Sequence, residues 1–369
     1  MQDVYIKCIE TLVPANAYSQ DFAREKMLSW VEGDKEHRLI NRVYRNSGIE
    51  TRYSVLDDFF GDKPGSLFRQ GNNGKVIEPG TRERNDRYAL ESRTLAVEAA
   101  RCVLNSSGLP AGKITHVITA SCTGFANPGA DYFIVRDLGL KHSVARFALG
   151  FMGCYAAIPA LRLARDICRA DPSAVVMVVS IELCSLHLHF EDGLDSLLAN
   201  AIFADGVAAA IVGCGPPGEE QQGLRIDGFA SSIITEGEKD MAWRIGNKGF
   251  EIALSTYVPD LIGGHIKSLV EAILGEHRIA LSDIGTWAIH PGGTAILDRI
   301  EKELGLMPAQ IEASRDVLRR YGNMSSATVL FVLKELLKGG PAAAGESWRI
   351  SAMAFGPGLT VESAILARQ

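Results

Sequence analysis

A chain of 369 residues, 47% hydrophobic and 22% charged, can bury a substantial core and is long for one simple domain, so two domains or one duplicated fold is expected. Its formal net charge of −6 argues against nucleic acid or an anionic membrane as the main partner. The seven cysteines, at 8, 102, 122, 154, 168, 184 and 214, are odd in number and form no CxxC pair, which argues against a thiol-rich zinc site and a disulfide scaffold.

In chain order, the N-terminal MQDVYIKCIETLVPA carries Asp3, Lys7 and Glu10 within its apolar run and does not read as a signal peptide. The most apolar runs, such as AVVMVVSI (174–181), are too short to span a bilayer, and a cytoplasmic location is expected. ITHVITA (114–120) reads as a buried strand running into the turn SCTGFANPGAD. YAAIPALRLARDICRA (155–170) reads as an amphipathic helix, with Arg162, Arg165, Asp166 and Arg169 opposite Ile158, Leu161, Ala164 and Ile167. Its first turn has no polar face, so its beginning should point into the interior. AVVMVVSIEL (174–183) reads as a second strand, and CGPPGEEQQG (214–223) is the clearest internal break, which divides the chain into halves 1–214 and 215–369.

Downstream the order returns. TWAI (286–289) is a short strand ending at His290-Pro291-Gly292-Gly293, and GNMSSATVLFVLKELLKGG (322–340) is a helix that begins with small residues and stops at Gly339-Gly340. Cys122 and Cys154 are 32 residues apart, and His290 and Asn323 are 33 apart. The match suggests an internal duplication, and packing about a pseudo-twofold axis would bring all four residues to one place.

The stretch GFMGCYAAI (150–158) then sets a question about Cys154. Free cysteine is commonly small core filler, but a helix N-terminus and a nearby imidazolium would make this one a thiolate nucleophile. His290 could be an ordinary turn residue and Asn323 a helix N-cap. Together the three admit a cysteine hydrolase, or a condensing enzyme in which His and Asn donate to a thioester oxygen and stabilise an enolate. The small apolar surroundings favour the second, because an enolate needs water excluded. Two decoys fail: GCGPPG (213–218) spells GxGxxG but opens no helix, and His187 with His189 in HLHFE lacks a third metal ligand at a recognisable spacing. No GxSxG or HExxH occurs.

Six segments carry a family resemblance over roughly residues 40–365: SCTGFANPGADY (121–132), GFMGCYAA, FADGVAAAIVG (203–213), WAIHPGG (287–293), YGNMSSATVLFVL (321–333) and FGPGLTVE (355–362). In these the chain resembles the type III polyketide synthases, relatives of chalcone synthase. The resemblance implies an α/β thiolase fold, a duplicated five-layer αβαβα sandwich, and a homodimer. It implies an acyltransferase that needs no cofactor or metal and takes coenzyme A thioesters as substrates: malonyl-CoA and a starter arriving as acyl-CoA or on an acyl carrier protein.

By the same resemblance Cys154 is the acyl-loading nucleophile, and His290 with Asn323 the enolate-stabilising pair. Phe203 is the gate between the coenzyme A tunnel and the cavity, Arg42 and Arg45 meet coenzyme A phosphates, Gly292 and Gly293 lie beside the pantetheine arm, and Ser325 joins the substrate-binding set. Cys122, Cys184 and His187 stand at cavity positions that are threonines in plant chalcone synthases. Ile252 replaces a second gating Phe, and Asn127 stands where a plant methionine completes the neighbouring subunit's cavity. SCTGF, GFMGCYAA and IELCSLHL are similar to bacterial alkylresorcinol and alkylpyrone synthases, which implies a long fatty acyl starter, iterative extension and closure to a pyrone or resorcinol. The alternatives are a single condensation of the ketoacyl synthase III type and a catalytically silent thiolase-fold binding subunit.

Overall fold

The computed structural model describes residues 2–61, 65–71, 75–190, 193–218, 222–338 and 348–368. The chain opens with β1 (Val4–Leu12), then β2 (Asn16–Ser19), α1 (Gln20–Trp30), α2 (Asp34–Arg45) and β3 (Thr51–Ser54). Two short strands, β4 (Arg69–Gln70) and β5 (Val76–Ile77), precede the long α3 (Thr81–Ser107). Next come β6 (His116–Ser121), α4 (Ala130–Asp137), β7 (Ala145–Gly150), α5 (Ala157–Ala170), β8 (Val175–Leu183), α6 (Leu194–Ile202) and β9 (Asp205–Cys214). The remainder runs β10 (Leu224–Ile233), β11 (Met241–Gly246), β12 (Gly249–Leu254), α7 (Val258–Glu276), β13 (Ile284–Ile289), α8 (Thr294–Leu304), α9 (Glu312–Tyr321), α10 (Thr328–Lys338), β14 (Trp348–Gly356) and β15 (Thr360–Arg368).

Nine strands form one sheet in the order β13-β14-β15-β10-β1-β9-β8-β6-β7. The order reads alike from the centre outward. β6 is parallel to β8 as β13 is to β14, β8 is antiparallel to β9 as β14 is to β15, and β9 is antiparallel to β1 as β15 is to β10. Among the described residues, only Tyr5↔Arg225 and Ile6↔Leu224 pair across the middle. The CGPPGEEQQG break falls between β9 and β10; residues 219–221 within it, and the Gly339-Gly340 stop after α10, lie outside the described residues.

Strand alternation makes the layers. Along β6 and β8, Val117, Met177, Val179 and Ile181 pack with α3, whereas Ile118, Val176 and Val178 pack with α5 and α10. In β13 and β14, Trp287, Ile289 and Met353 pack with α7 and α8, whereas Ala288, Ile350 and Ala352 face α10. α5 and α10 are thus covered by sheet on both sides, and α3 and α7 lie outside, which is the five-layer thiolase arrangement. A strand buried on both faces reads as an unbroken apolar run, as AVVMVVSIEL does.

The central position explains the composition of the two helix starts. Ala157, Ile158, Ala160, Leu161 and Ala164 of α5 are all buried, as are Val329 to Leu333 of α10. Arg162 turns outward to an ion pair with Glu362 at 2.8 Å. Neither cysteine nor asparagine is itself a helical residue. Cys154 sits in the turn before Ala157, and Asn323 precedes a short 3-10 turn, Ser325–Ala327, that leads into α10, so Asn323 is not the helix N-cap.

The segment FGPGLTVE packs directly on the Cys154 turn. Gly153 has φ +86, and a Cβ there would stand 2.3 Å from Pro357 Cδ; a Cβ on Gly356 would stand 2.5 Å from Tyr155 Cδ1. Gly153→Ala therefore combines a left-handed backbone with a clash, and we expect a loss of about 1–3 kcal/mol of stability, read from urea denaturation.

Candidate active site

Cys154, His290 and Asn323 all line one cavity of about 940 Å³, counted to its open mouth. β6 and β13 end at the corresponding edge of their half-sheets and deliver Cys122 and His290; the turns before α5 and α10 deliver Cys154 and Asn323. His290 is 1% exposed, with its N–H bonded to Met353 O at 2.8 Å, so the turn is anchored to β14 and buried, unlike an ordinary surface turn. Neither ring nitrogen has a hydrogen-bond partner among the described residues. A buried polar ring with two unsatisfied nitrogens costs stability, and the cavity it faces is where a partner can come from.

Asn323 is fixed at both ends. Its backbone pairs with the segment before β9: Asn323 N–H donates to Ile202 O at 2.9 Å, and Ala204 N–H donates to Asn323 O at 2.9 Å. Its Oδ1 accepts from Ser325 N–H at 2.8 Å, so its Nδ2 is turned toward Gly292, whose carbonyl it meets at 3.3 Å. One amide proton remains for a ligand.

Burial holds this site neutral. It pushes the Cys154 thiol up to about 12 despite the Ser325 hydroxyl bonded to it, and it drives His290 down to about 3. This corrects the expectation of a resting thiolate sustained by an imidazolium. The thiol is protonated and the imidazole uncharged, because desolvation outweighs the helix start and no counter-charge among the described residues acts on the ring.

Behind the cysteines lies Glu182, fully buried. It accepts from Cys122 N–H at 2.9 Å and Thr123 Oγ1 at 3.0 Å in one half, and from Ser326 Oγ in the other. The Cys122 thiol is 3.4 Å from the same carboxyl and 3.2 Å from Ser325 Oγ. Burial raises Glu182 to about 7, and the hydroxyl and amide donors hold it from going higher. The carboxyl was legible as the one acid in AVVMVVSIEL, an anomaly in a buried run, yet the sequence reading passed over it.

Of the other expected residues, Phe203, Cys122, Cys184, His187, Ile252, Gly292 and Ser325 line the cavity. His187 does so with its ring already used: Nε2–H donates to Thr123 O at 2.7 Å, Nδ1 accepts from Phe250 N–H at 3.0 Å, and the ring stacks on Phe250 at 4.2 Å. It is a wall and not a donor to substrate. His189 bonds Glu78 and Phe250 O, and no group of three metal-ligating side chains occurs among the described residues. Arg42 and Gly293, with Gly292, line a second cleft that shares Ile202, Leu254, Gly292 and Ile296 with the cavity. Arg45 is exposed on α2 and does not line that cleft, and Asn127 lies on an exposed loop outside the cavity of its own chain. No helix among the described residues is long and apolar enough to cross a membrane.

Apart from Ile252, the sequence reading missed the roof. The β11–β12 hairpin closes the cavity with Met241, Ala242, Trp243 and Leu254, and Trp243 Nε1–H donates to Cys122 O at 2.7 Å. Arg52, 1% exposed, donates to the carbonyls of Asn200 (2.7 Å) and Phe203 (2.8 Å) and holds the Phe203 segment in place.

A thiol, an imidazole with unpaired nitrogens and an oriented amide, meeting at the centre of a duplicated thiolase fold, define an acyl-condensing enzyme. Comparison with known proteins narrows the class. The family models for the N-terminal and C-terminal domains of chalcone and stilbene synthases match residues 3–216 and 226–368. The chain is 33% identical over 362 residues, 97% of its length, to the alpha-pyrone synthesis polyketide synthase-like Pks18 of Mycobacterium tuberculosis, of which it covers 89%; the Mycobacterium bovis protein matches equally. Among solved structures it is similar to PKS-I of the brown alga Ectocarpus siliculosus (TM-score 0.93, 29% identity, 100% of this chain and 99% of that one). It is also similar to the C-terminal type III polyketide synthase domain of Steely1 from Dictyostelium (TM-score 0.89, 29% identity, 99% of each chain). The chain therefore belongs to the chalcone and stilbene synthase family, the type III polyketide synthases, acyltransferases that work on coenzyme A thioesters without a cofactor.

Neutral burial of His290 has a measurable sign. Its folded pKa of about 3 lies below the ordinary imidazole value of about 6.5, so the native state binds fewer protons than the unfolded chain and loses stability as pH falls below about 6.5. His290→Asn removes that linkage. Relative to the wild type it should gain about 2 kcal/mol between pH 6.5 and pH 5, read from urea midpoints at the two pH values.

Proposed function

We propose that this synthase loads a long fatty acyl starter on Cys154, extends it with malonyl-CoA in successive decarboxylative condensations, and closes the chain to an alkylpyrone. The observation that carries the starter is the cavity wall: Ile252, Leu254, Met241, Ala242, Leu188 and Ile202 surround the thiol with aliphatic surface, and Ile252 stands where an aromatic gate would shorten the space. Each methylene buried there gains about 0.8 kcal/mol, so a fatty chain outcompetes a short one. The likeness to Pks18, whose name records alpha-pyrone synthesis, supports pyrone closure over resorcinol.

In the first step the Cys154 sulfur attacks the starter thioester, its proton passes to His290, and coenzyme A leaves as the thiol. Malonyl-CoA enters past Phe203. One nitrogen of neutral His290 and the spare proton of Asn323 Nδ2 donate to its thioester oxygen, so that loss of carbon dioxide leaves an enolate matched by two donors in a site with little water. The enolate carbon attacks the acyl-Cys154 thioester, the thiolate leaves and recovers a proton, and the lengthened chain sits on coenzyme A. A neutral imidazole suits this step, because it gives a hydrogen bond without quenching the enolate with an acidic proton.

We further place the division of the two halves at residue 214, put the enzyme in the cytoplasm, and assign it as a homodimer. The last is supported by the outer edge of the sheet: among the described residues β7 is unpaired on one side, and Phe147 on it is 41% exposed.

Purified protein incubated with malonyl-CoA and a graded series of acyl-CoA starters should give long-chain alkylpyrones, read by mass. A single β-ketoacyl product would assign it to one-step condensation, and free fatty acid alone would make Cys154 a hydrolytic residue. Cys154→Ala should abolish acyl loading; Asn323→Ala should retain it and lower malonyl-CoA decarboxylation by about 100-fold or more, whereas His290→Ala should slow loading and damage decarboxylation as well.

A further inference from the structure

The cleft that leads to the cavity has an unusual electrostatic rim. Among the described residues Arg42 is the one charged side chain that lines it; the rest of its described wall is apolar or uncharged, with Leu39, Val43, Leu198 and Val258 prominent. Acids on the elements facing it are occupied: Asp195 accepts from Leu254 N–H, and Asp260 pairs with Arg299 at 2.8 Å. Coenzyme A presents its phosphates in one compact cluster, and one arginine at the mouth is a thin match for that charge.

The remaining cations lie elsewhere on α2. Lys35, Arg38, Arg42 and Arg45 follow at spacings of three, four and three residues, within an arc of about 80° on a helix of 3.6 residues per turn. All four are exposed, and no ion pair or side-chain hydrogen bond is made by any of them among the described residues. The opposite face carries buried Ile40 and Tyr44, which seat the helix. Helix-end electrostatics accounts for Arg42 and Arg45 in the last turn, but places Lys35 and Arg38 at the wrong end, where Asp34 and Glu36 are the favourable charges. The stripe is about 15 Å long in all, and its far end, Lys35, lies about 10 Å along the helix from Arg42 at the cleft mouth, on the surface of an otherwise acidic protein.

We propose that the exposed face of α2 docks an acidic acyl carrier protein, and that the fatty starter is delivered from it on a phosphopantetheine arm threaded past Arg42. This rests on the fatty acyl reading above and names its donor. An acidic helix of the carrier lies along Lys35, Arg38 and Arg45, the single phosphate of the arm meets Arg42, and the apolar cleft wall takes the uncharged pantetheine. Transfer is a thioester exchange: the Cys154 sulfur bonds to the acyl carbon, the carbon–sulfur bond to the arm breaks, and the arm leaves as the thiol with the proton from Cys154. Malonyl-CoA uses the same cleft afterwards, so the carrier must leave quickly, which suits a charge-steered and salt-sensitive contact.

The test compares two donors of one dodecanoyl group, holo acyl carrier protein of the fatty acid synthase type and coenzyme A, each with malonyl-CoA. The wild type is set against the double variant Lys35→Glu/Arg38→Glu, whose positions line neither the cleft nor the cavity. We expect roughly a tenfold or greater rise in KM for the carrier-bound starter and less than about a twofold change for acyl-CoA. Equal shifts for both donors would make the stripe a coenzyme A phosphate site and overturn the proposal, as would wild-type enzyme that condenses acyl-CoA but ignores the carrier. Failure with both donors in the wild type would instead overturn the fatty acyl reading itself.

Discussion

Among the described residues the two halves of the sheet touch through very few strand pairs, and beneath the active site a buried carboxyl, Glu182, joins them. It stands at the end of β8 and gathers the Cys122 amide and the Thr123 hydroxyl from its own half and the Ser326 hydroxyl from the other. A buried carboxyl is tolerable only when its oxygens are well supplied with donors, so each of those donors is held to a narrow position. Cys122 and Ser325 meet side by side on the cavity wall, 3.2 Å apart, and Ser325, at φ +46, is in a left-handed conformation that a serine seldom adopts. The geometry of the site is a by-product of satisfying one acid.

The second constraint is the absence of compensating charge around the three reacting groups. The central helices must begin inside the molecule, so their first turns are small and apolar, and nothing charged fits next to Cys154 or His290. Desolvation then decides the protonation of both. The same dryness that makes the thiol reluctant protects the enolate, and the enzyme spends its reactivity at the moment of acyl transfer instead of holding a thiolate at rest.

Much of this was readable in the chain. The paired spacing of Cys122 with Cys154 and of His290 with Asn323 reflects a real repeat, because a strand, its crossover and the next inward helix occupy a fixed length of chain in each half. The unbroken run of β8 and the one-sided α5 were legible because burial on two faces or on one leaves a periodic mark. Trp243 and the β11–β12 roof left none: a two-stranded flap outside the main sheet owes its sequence to the cavity it covers, and alternation there looks like that of any edge hairpin. His187 was recognised as a cavity position, but its bonds to Thr123 and Phe250 are long-range in sequence, and only the folded chain reveals that its nitrogens are used. The protonation of Cys154 was misread because a local rule about helix starts was applied where distant burial decides.

Phe203 and Asn323 face each other as an isolated parallel bridge, with Arg52 holding the Phe203 carbonyl from behind. The two residues proposed as the gate and as the amide that steadies the enolate are therefore rungs of one ladder. Under the proposed gating role, a hinged lid would drag Asn323 out of line each time substrate passed, so opening is expected from rotation of the Phe203 ring about its side-chain bonds. Such rotation is far quicker than hinge or domain motion. Passage of thioesters into the cavity is thus decoupled in time from the slow motions of the protein, and the catalytic frame keeps its shape through every round of chain growth.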